Sequence, residues 1–412
     1  MINKIAILHF AAPPIVGGVE STIFHHARLL AEAGYEAHVI AGRGEPFHPD
    51  VQFHHIPEID SRHPDVLQIG DALAKGTLTP DFEALRDHLT KSLGAILQDI
   101  PICIVHNVIT LHKNIPLTAA LSQLNQRKTT RLIAWCHDFA WMDELYTSAL
   151  HNGYPWDLLR TPWPNVDYVT VSEDRRTKLA ALLKIPEYSI DVVTPGIDLY
   201  EFLKLEPLTR QLVERLKLTN AAPLMLLPAR ITRRKNIEFA LRVTAVLKDT
   251  TPQPTLLITG PPGPHNPKNI AYLQSLKTLR SDLGLEEQVH FAYELGESDE
   301  PLHLTDKVIA DLYSLADLLL FPSLREGFGI PVLEAGLARM PVFAADIPPV
   351  RESSGEFATL FDSKGDPASV AELIRAHLEN ESAYLLRQRV LKYFTWRRIL
   401  EKDIIPLIQK EN

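Results

Sequence analysis

The chain has 412 residues, 45% of them hydrophobic and 23% charged, which is more than one ordinary core can use, so two domains are expected. No apolar run is long enough to span a bilayer, and a net charge of −9 argues against the clustered basic face that nucleic acid demands. The two cysteines, Cys103 and Cys136, lie in apolar stretches with no histidine at metal-ligand spacing, so they read as buried thiols rather than a disulfide, a metal site or a nucleophile.

From the N-terminus, residues 1–10 form a short apolar run that leads directly into a glycine-rich turn. This reads as a first buried strand rather than a signal peptide, and it implies a cytoplasmic protein. Strand-like runs then alternate with amphipathic stretches of helix length, the pattern of doubly wound parallel sheets. Strands are expected at residues 5–9, 37–41, 102–106, 132–136, 168–172 and 190–193 in the first half. In the second half they are expected at 224–228, 255–260, 289–292, 318–321, 342–344 and 357–360. Two such sets imply two sheets, in domains spanning 1–200 and 201–390, with the boundary between the Pro195-Gly-Ile-Asp198 turn and Pro223. A terminal helix is expected over 393–402, within a final segment 391–412.

Five motifs sit where strands end, the place at which doubly wound sheets bind ligands. After the first strand, Gly17 and Gly18 in Pro13-Pro-Ile-Val-Gly-Gly-Val-Glu-Ser21 either make a tight turn or bring N–H groups to a phosphate or sugar. The motif is neither the Gly-x-Gly-x-x-Gly fingerprint nor a Walker loop. His137, in Trp135-Cys-His-Asp-Phe139, closes a later strand. A lone strand-end histidine is more often structural, but Asp138 and the aromatics Phe139, Trp141 and Tyr146 favour a functional one. The pairs His25-His26 and His54-His55 read as surface or packing residues.

In the second half, Ala229-Arg-Ile-Thr-Arg-Arg-Lys-Asn236 follows a strand and brings cations to a place where a leaving diphosphate would gather charge. The stiff loop Thr259-Gly-Pro-Pro-Gly-Pro-His265 offers Gly260 or Gly263 as a ligand contact. The most informative motif is Arg325-Glu-Gly-Phe-Gly-Ile-Pro-Val-Leu-Glu-Ala335. Glu326 stands in a loop after an apolar run, and Glu334 one or two turns inside a helix that starts near Ile330, with Pro331 suited to its first turn. That helix end would present free N–H groups to phosphate, and Gly327 and Gly329 would admit a ligand close to the backbone. Each carboxylate can accept hydrogen bonds from two hydroxyls, and a nucleotide sugar carries two polyols, hexose and ribose.

These motifs resemble the family-4 retaining glycosyltransferases, which carry Glu-x7-Glu in the C-terminal half of the GT-B fold. The resemblance covers nearly the whole chain, and Glu-Gly-Phe-Gly-Ile-Pro-Val-Leu-Glu-Ala is its most specific part. It implies an α/β protein of two Rossmann-like doubly wound domains facing a central cleft, with the last segment returning to the first domain. It further implies that Glu326 grips donor-sugar hydroxyls and Glu334 the ribose, with Phe328 and Ile330 at the donor between them. Arg230 and Lys235 become the diphosphate pair, while Arg233 and Arg234 are left as a solvated basic face. His137 contacts the transferred sugar, Gly17 and Gly18 face the donor phosphates, and Tyr293-Glu-Leu-Gly296 lies where the family holds the base.

The implied activity is retaining transfer of a hexose from GDP-mannose or UDP-glucose to an acceptor hydroxyl. The nucleotide sugar is a substrate and no cofactor is expected. No Asp-x-Asp triplet occurs, so no essential metal is expected either. A sugar-nucleotide epimerase on the same scaffold and a non-catalytic sugar-nucleotide sensor are the alternatives. The acceptor-side loops, residues 107–114 and 143–156, do not name their ligand, although the lack of a long basic amphipathic helix favours a small soluble sugar or polyol acid. Oligomeric state is left open.

Overall fold

The computed structural model describes residues 3–264, 266–296 and 300–410. The chain divides into two compact units, residues 1–197 with 394–412, and residues 198–393. These breaks fall within a few residues of the boundaries expected at 200 and 390.

The first unit holds seven parallel strands: β1 (Lys4–Ala11), β2 (Glu36–Arg43), β3 (Val51–His55), β4 (Ile102–His106), β5 (Arg131–Cys136), β6 (Val166–Thr170) and β7 (Ile190–Val192). Their order is β3-β2-β1-β4-β5-β6-β7. The sheet is covered on both faces, which is why its central strands are continuous apolar runs. In β1, Ala6, Leu8 and Phe10 enter the core on one face, and Ile5 and Ile7 that on the other.

The second unit repeats the plan with β8 (Leu224–Leu227), β9 (Thr255–Ile258), β10 (Val289–Phe291), β11 (Leu318–Phe321), β12 (Val342–Ala345) and β13 (Thr359–Phe361), in the order β10-β9-β8-β11-β12-β13. Along β8, Met225 and Leu227 join one core and Leu224 and Leu226 the other. Each sheet therefore changes winding direction once, between β1 and β4 in the first unit and between β8 and β11 in the second. Beside such a reversal the helices diverge and leave a crevice at the carboxyl ends of the strands.

Three expectations need correction. Strand β3 was not foreseen, because Val-Gln-Phe-His-His is a half-exposed edge strand without an apolar run. The strand expected at 357–360 starts later, at Thr359, since Phe357 lies in the preceding turn and is 88% exposed. The helix expected over 393–402 is two elements. One helix ends at Tyr393, and another starts at Trp396 and passes through a π-turn at Leu400–Ile404 into Ile405–Gln409. Between them Ile197 takes the chain into a parallel bridge with Thr395, with Ile197 N donating to Phe394 O at 2.8 Å.

The final segment packs within the first unit, where Trp396, Ile399, Leu400, Ile404, Leu407 and Ile408 join the core around Ile23, Ala27 and Leu30. Arg131 caps its end, donating to the carbonyls of Leu407, Ile408 and Lys410 at 2.8–3.1 Å while its Nε holds Asp167 at 2.7 Å. Cys103 and Cys136 are free and buried, and burial pushes both thiols up to about 12. No helix among the described residues is long and apolar enough to cross a membrane.

Candidate functional site

The second unit gathers its candidate site residues Lys235 and Glu326 at the exits of β8 and β11, the neighbouring strands at its winding reversal. After β8 the chain makes a single tight turn, Arg233–Lys235, and Asn236, at a left-handed φ of 51°, bends it into the helix Ile237–Lys248. Asn236 holds that bend by donating from Nδ2 to Ser363 O at 2.9 Å. The bend sends Lys235 inward. Its Nζ donates to Glu326 Oε1 at 2.6 Å and stands 5.0 Å from the centre of the Phe321 ring.

Arg234 completes the cluster, with Nη1 donating to Glu326 Oε2 at 3.0 Å and to Arg325 O at 3.3 Å. The expectation of Arg234 as a solvated face is therefore wrong. Its side chain is half exposed, but its head group joins the loop after β8 to the loop after β11, as does the bond from Leu324 N to Arg234 O at 2.8 Å. Arg233 lies over the ring of Tyr272, 5.0 Å from its centre.

The side chains of Lys235 and Glu326 are each only 8% exposed. Burial pulls the Lys235 ammonium below its usual range while Glu326 pulls it back up. Burial also works against the Glu326 charge, but the hydrogen bond from Lys235 and the charges of Lys235 and Arg234 outweigh it and hold the carboxyl below the ordinary glutamate range. A carboxylate has about four lone-pair positions and an ammonium three donors, so both groups keep capacity for a ligand.

The helix Ile330–Leu337 begins where expected, with Pro331 in its first turn. Gly329 is its N-cap at φ +94°, a conformation that only glycine adopts without strain. Gly327 has open space around its Cα, and Phe328 and Ile330 are exposed. Glu334 is exposed on the helix and accepts a hydrogen bond from the buried Tyr313 hydroxyl at 2.6 Å. Burial and this bond push the Tyr313 phenol up, so the hydroxyl stays a donor. Tyr313 was not legible as a partner, because it comes from another helix.

Two assigned residues stand apart from the cluster. Arg230 is exposed and has no carboxylate partner among the described residues. Gly260 has a packing reason to be glycine: a Cβ there would lie 2.2 Å from Ala229 O, because Ile231 N donates to Pro261 O and Gly263 N to Ile231 O. Gly263 is likewise crowded, by Asn269 and Thr232. His265, the last residue of that loop, lies outside the described residues. Tyr293 belongs to a short turn, Ala292–Leu295, after the edge strand β10.

In the first unit, Gly17 caps the helix Gly18–Glu32 with extended backbone and no side-chain cap. The helix thus opens after β1 with first-turn N–H groups that its own backbone does not pair, beside the carboxylate of Glu20. His137 follows β5, and its Nε2 lies 3.1 Å from Nδ1 of His106, the last residue of β4. Burial, and then the nearby His9, lower the His137 imidazole to about 4. His106 and His26 are fully buried, and burial holds His26 at about 3 and His106 well below its ordinary value. The pair His25-His26 is thus a packing pair, with His26 against Trp135 and Trp396. His106 was expected only as the end of a strand and Asn107 only as the start of the acceptor-side loop 107–114, neither as a partner of His137.

The family model described as "Glycosyltransferase Family 4" matches residues 16–201, and that described as "Glycosyl transferases group 1" matches residues 210–393. The mannosylglucosylglycerate synthase of Thermotoga maritima is 24% identical over 384 residues, covering 84% of this chain and 83% of that protein. A D-inositol 3-phosphate glycosyltransferase of Streptomyces avermitilis is 30% identical over 190 residues, 45% of this chain and 38% of that one. A GDP-mannose-dependent alpha-(1-6)-phosphatidylinositol monomannoside mannosyltransferase of Mycolicibacterium smegmatis is 27% identical over 208 residues, half of each chain. With one family matched in each of its two parallel-sheet units, the chain belongs to the group 1, family-4 glycosyltransferases and is a glycosyltransferase enzyme.

Proposed function

We propose that the protein transfers a hexose, with retention of anomeric configuration, from a nucleoside-diphosphate sugar to the hydroxyl of a small soluble acceptor. The observation that carries this reading is the Lys235–Glu326–Arg234 cluster at the exits of β8 and β11. It sets two cations and a carboxylate at the strand ends where a doubly wound sheet receives a nucleotide.

In this reading Lys235, Arg234 and the exposed Arg230 stabilise the diphosphate as it leaves, because its charge grows toward the transition state. Glu326 orients hydroxyls of the hexose, and Glu334, steadied by Tyr313, takes those of the ribose. Gly327, Phe328, Gly329 and Ile330 form the backbone floor at the helix N-terminus, and Gly17 and Gly18 offer N–H groups to phosphate. Gly260 serves the site through its packing on Ala229. His137 contacts the sugar. The acceptor attacks from the face the diphosphate leaves, and the leaving phosphate takes its proton. The names of the Thermotoga and Mycolicibacterium relatives support mannose as the sugar and GDP-mannose as the donor, and the Thermotoga name supports a sugar-acid acceptor. The chemistry requires no divalent metal.

Incubation with a panel of nucleoside-diphosphate hexoses and polyol acids, with mass detection, should show nucleoside diphosphate released only when acceptor is present. The new linkage should keep the donor's anomeric configuration by NMR, and activity should survive EDTA. An inverted product, or full loss in EDTA restored by magnesium or manganese, would overturn the corresponding part.

A further inference from the structure

Four histidines of the first unit converge from separate elements: His9 on β1, His26 on the helix Gly18–Glu32, His106 at the end of β4 and His137 after β5. The hydrogen bonds of His9, His106 and His137 fix where their protons lie, while His26 packs by ring contact alone. His9 Nδ1 lies 2.9 Å from the His106 carbonyl, which can only accept, so His9 carries its proton on Nδ1. The His106 ring is fully buried; its Nδ1 meets His137 Nε2 at 3.1 Å, and its Nε2 has no partner.

Only two neutral arrangements fit the contact between His106 and His137. If His137 donated from Nε2, His106 would have to keep its own proton on Nε2, leaving a buried N–H with no acceptor. If His106 donates from Nδ1, its Nε2 is a bare lone pair, and orphaned buried acceptors are less rare than orphaned buried donors. The second arrangement places the His137 proton on Nδ1.

The backbone turn is fixed as well. Asn107, 4% exposed and left-handed at φ 60°, accepts on Oδ1 from His137 N at 2.8 Å and from Asp138 N at 3.1 Å, and its Nδ2 reaches Asp138 Oδ2 at 3.4 Å. Its own N–H donates to Trp135 O at 2.9 Å. Asparagine tolerates this left-handed conformation better than most residues.

We infer that His106 and Asn107 are positioning residues that lock His137 into the Nδ1–H tautomer, so that it meets its ligand as a hydrogen-bond donor and not as a general base. The inference rests on the proposed contact between His137 and the sugar, and it names what that contact is: Nδ1–H to a sugar oxygen. The basic nitrogen, Nε2, is already occupied by His106, which agrees with a reaction in which the acceptor's proton goes elsewhere. The surroundings keep the ring neutral. His9, His25 and His26 face the cluster from β1 and the first helix, with Glu20 near His9, while Asp138 and Arg175 act on His137 with opposite signs. Burial outweighs them all.

The test is long-range proton–nitrogen NMR of the intact protein labelled with ¹⁵N-histidine, with the His137 signals identified by their loss in His137→Gln. A protonated Nδ1 and a bare Nε2, unchanged from pH 5.5 to 8, are expected. A protonated Nε2, or a titration midpoint within that range, overturns the proposal. In His106→Phe, which keeps a ring beside Trp135 but removes the donor, and in Asn107→Gly, which keeps the left-handed backbone but removes the amide, kcat should fall about five- to tenfold with donor KM within twofold. Unchanged kcat in folded variants overturns the positioning role, and the wild-type spectrum stands as a test even if neither variant folds. Unchanged turnover in His137→Gln would instead overturn the sugar contact, whatever the tautomer proves to be.

Discussion

The two strand-exit regions deal with charge in opposite ways. In the second unit Lys235 and Glu326 are almost sealed from water yet stay charged, because they lie 2.6 Å apart and Arg234 adds a second cation. In the first unit burial empties the histidines of charge, with His137 at about 4 and His26 at about 3. Desolvation is severe in both places. What differs is the partner: a carboxylate can hold an ammonium charged, whereas imidazoles packed on imidazoles repel the second proton. The charged region suits a ligand part that gains negative charge during reaction, and the neutral one suits oriented hydrogen bonding to a hydroxyl.

Removing the carboxylate charge breaks this contrast most directly. Glu326→Gln should fold and bind donor within a few-fold of the parent, while the kcat barrier rises by about 2–4 kcal/mol, a fall of about 30- to 900-fold in kcat. Steady-state kinetics check it, and an undiminished kcat would remove Glu326 from the reacting sugar. Lys235→Ala should also destabilise the fold by about 3 kcal/mol, since it leaves Glu326 buried with only Arg234. Arg230→Ala, at an exposed position, should shift stability by no more than about 0.5 kcal/mol. Both should weaken nucleoside diphosphate more than monophosphate, measured by calorimetry beside chemical denaturation. Equal weakening of the two nucleotides would move these side chains away from the β-phosphate.

The neutral region makes its own prediction, in pH. Above about pH 6.5 the rings are uncharged in both the folded and the unfolded chain, and their contribution to stability is complete. As pH falls below 6.5 the unfolded chain binds protons that folded His137 refuses until about pH 4 and folded His26 until about pH 3. Stability should therefore drop by up to about 1.4 kcal/mol per pH unit for each ring, seen as a lower Tm at pH 5 than at pH 7. His26→Gln should flatten that slope; an unchanged slope would show that carboxylates elsewhere set it. The smallest effect on the kinetics is expected at Glu334. Tyr313→Phe removes one hydrogen bond, worth about 1 kcal/mol, and should raise donor KM a few-fold with kcat intact. A fall in kcat instead would place Glu334 nearer the reacting bond than the ribose.

Much of the fold is legible in the sequence. Strands buried on both faces are continuous apolar runs such as Leu318–Phe321, and helices announce themselves by a residue like Pro331. The elements that escaped lacked those marks: β3 is a polar edge strand, and the break at residues 394–395 comes from a bridge to Ile197, almost two hundred residues away. Within the site, Glu326, Lys235 and His137 stood out by motif. Arg234 was misjudged because its neighbours in sequence, Arg233 and Lys235, give no hint that it closes on a carboxylate ninety-two residues later. The pairings of Tyr313 with Glu334 and of His106 and Asn107 with His137 were missed for the same reason.

The sequence alone determined most of the elements, the doubly wound class of both sheets, the family and the types of side chain at the strand exits, because these depend on local pattern: apolar period, glycine and proline placement, and charge. Tertiary structure decided the pairings. Only the parallel neighbours β8 and β11 bring Lys235 to Glu326, and only the neighbours β4 and β5 bring His106 and Asn107 to His137. Protonation follows from those pairings, since it depends on which groups share a dry space, and separation along the chain carries no information about that.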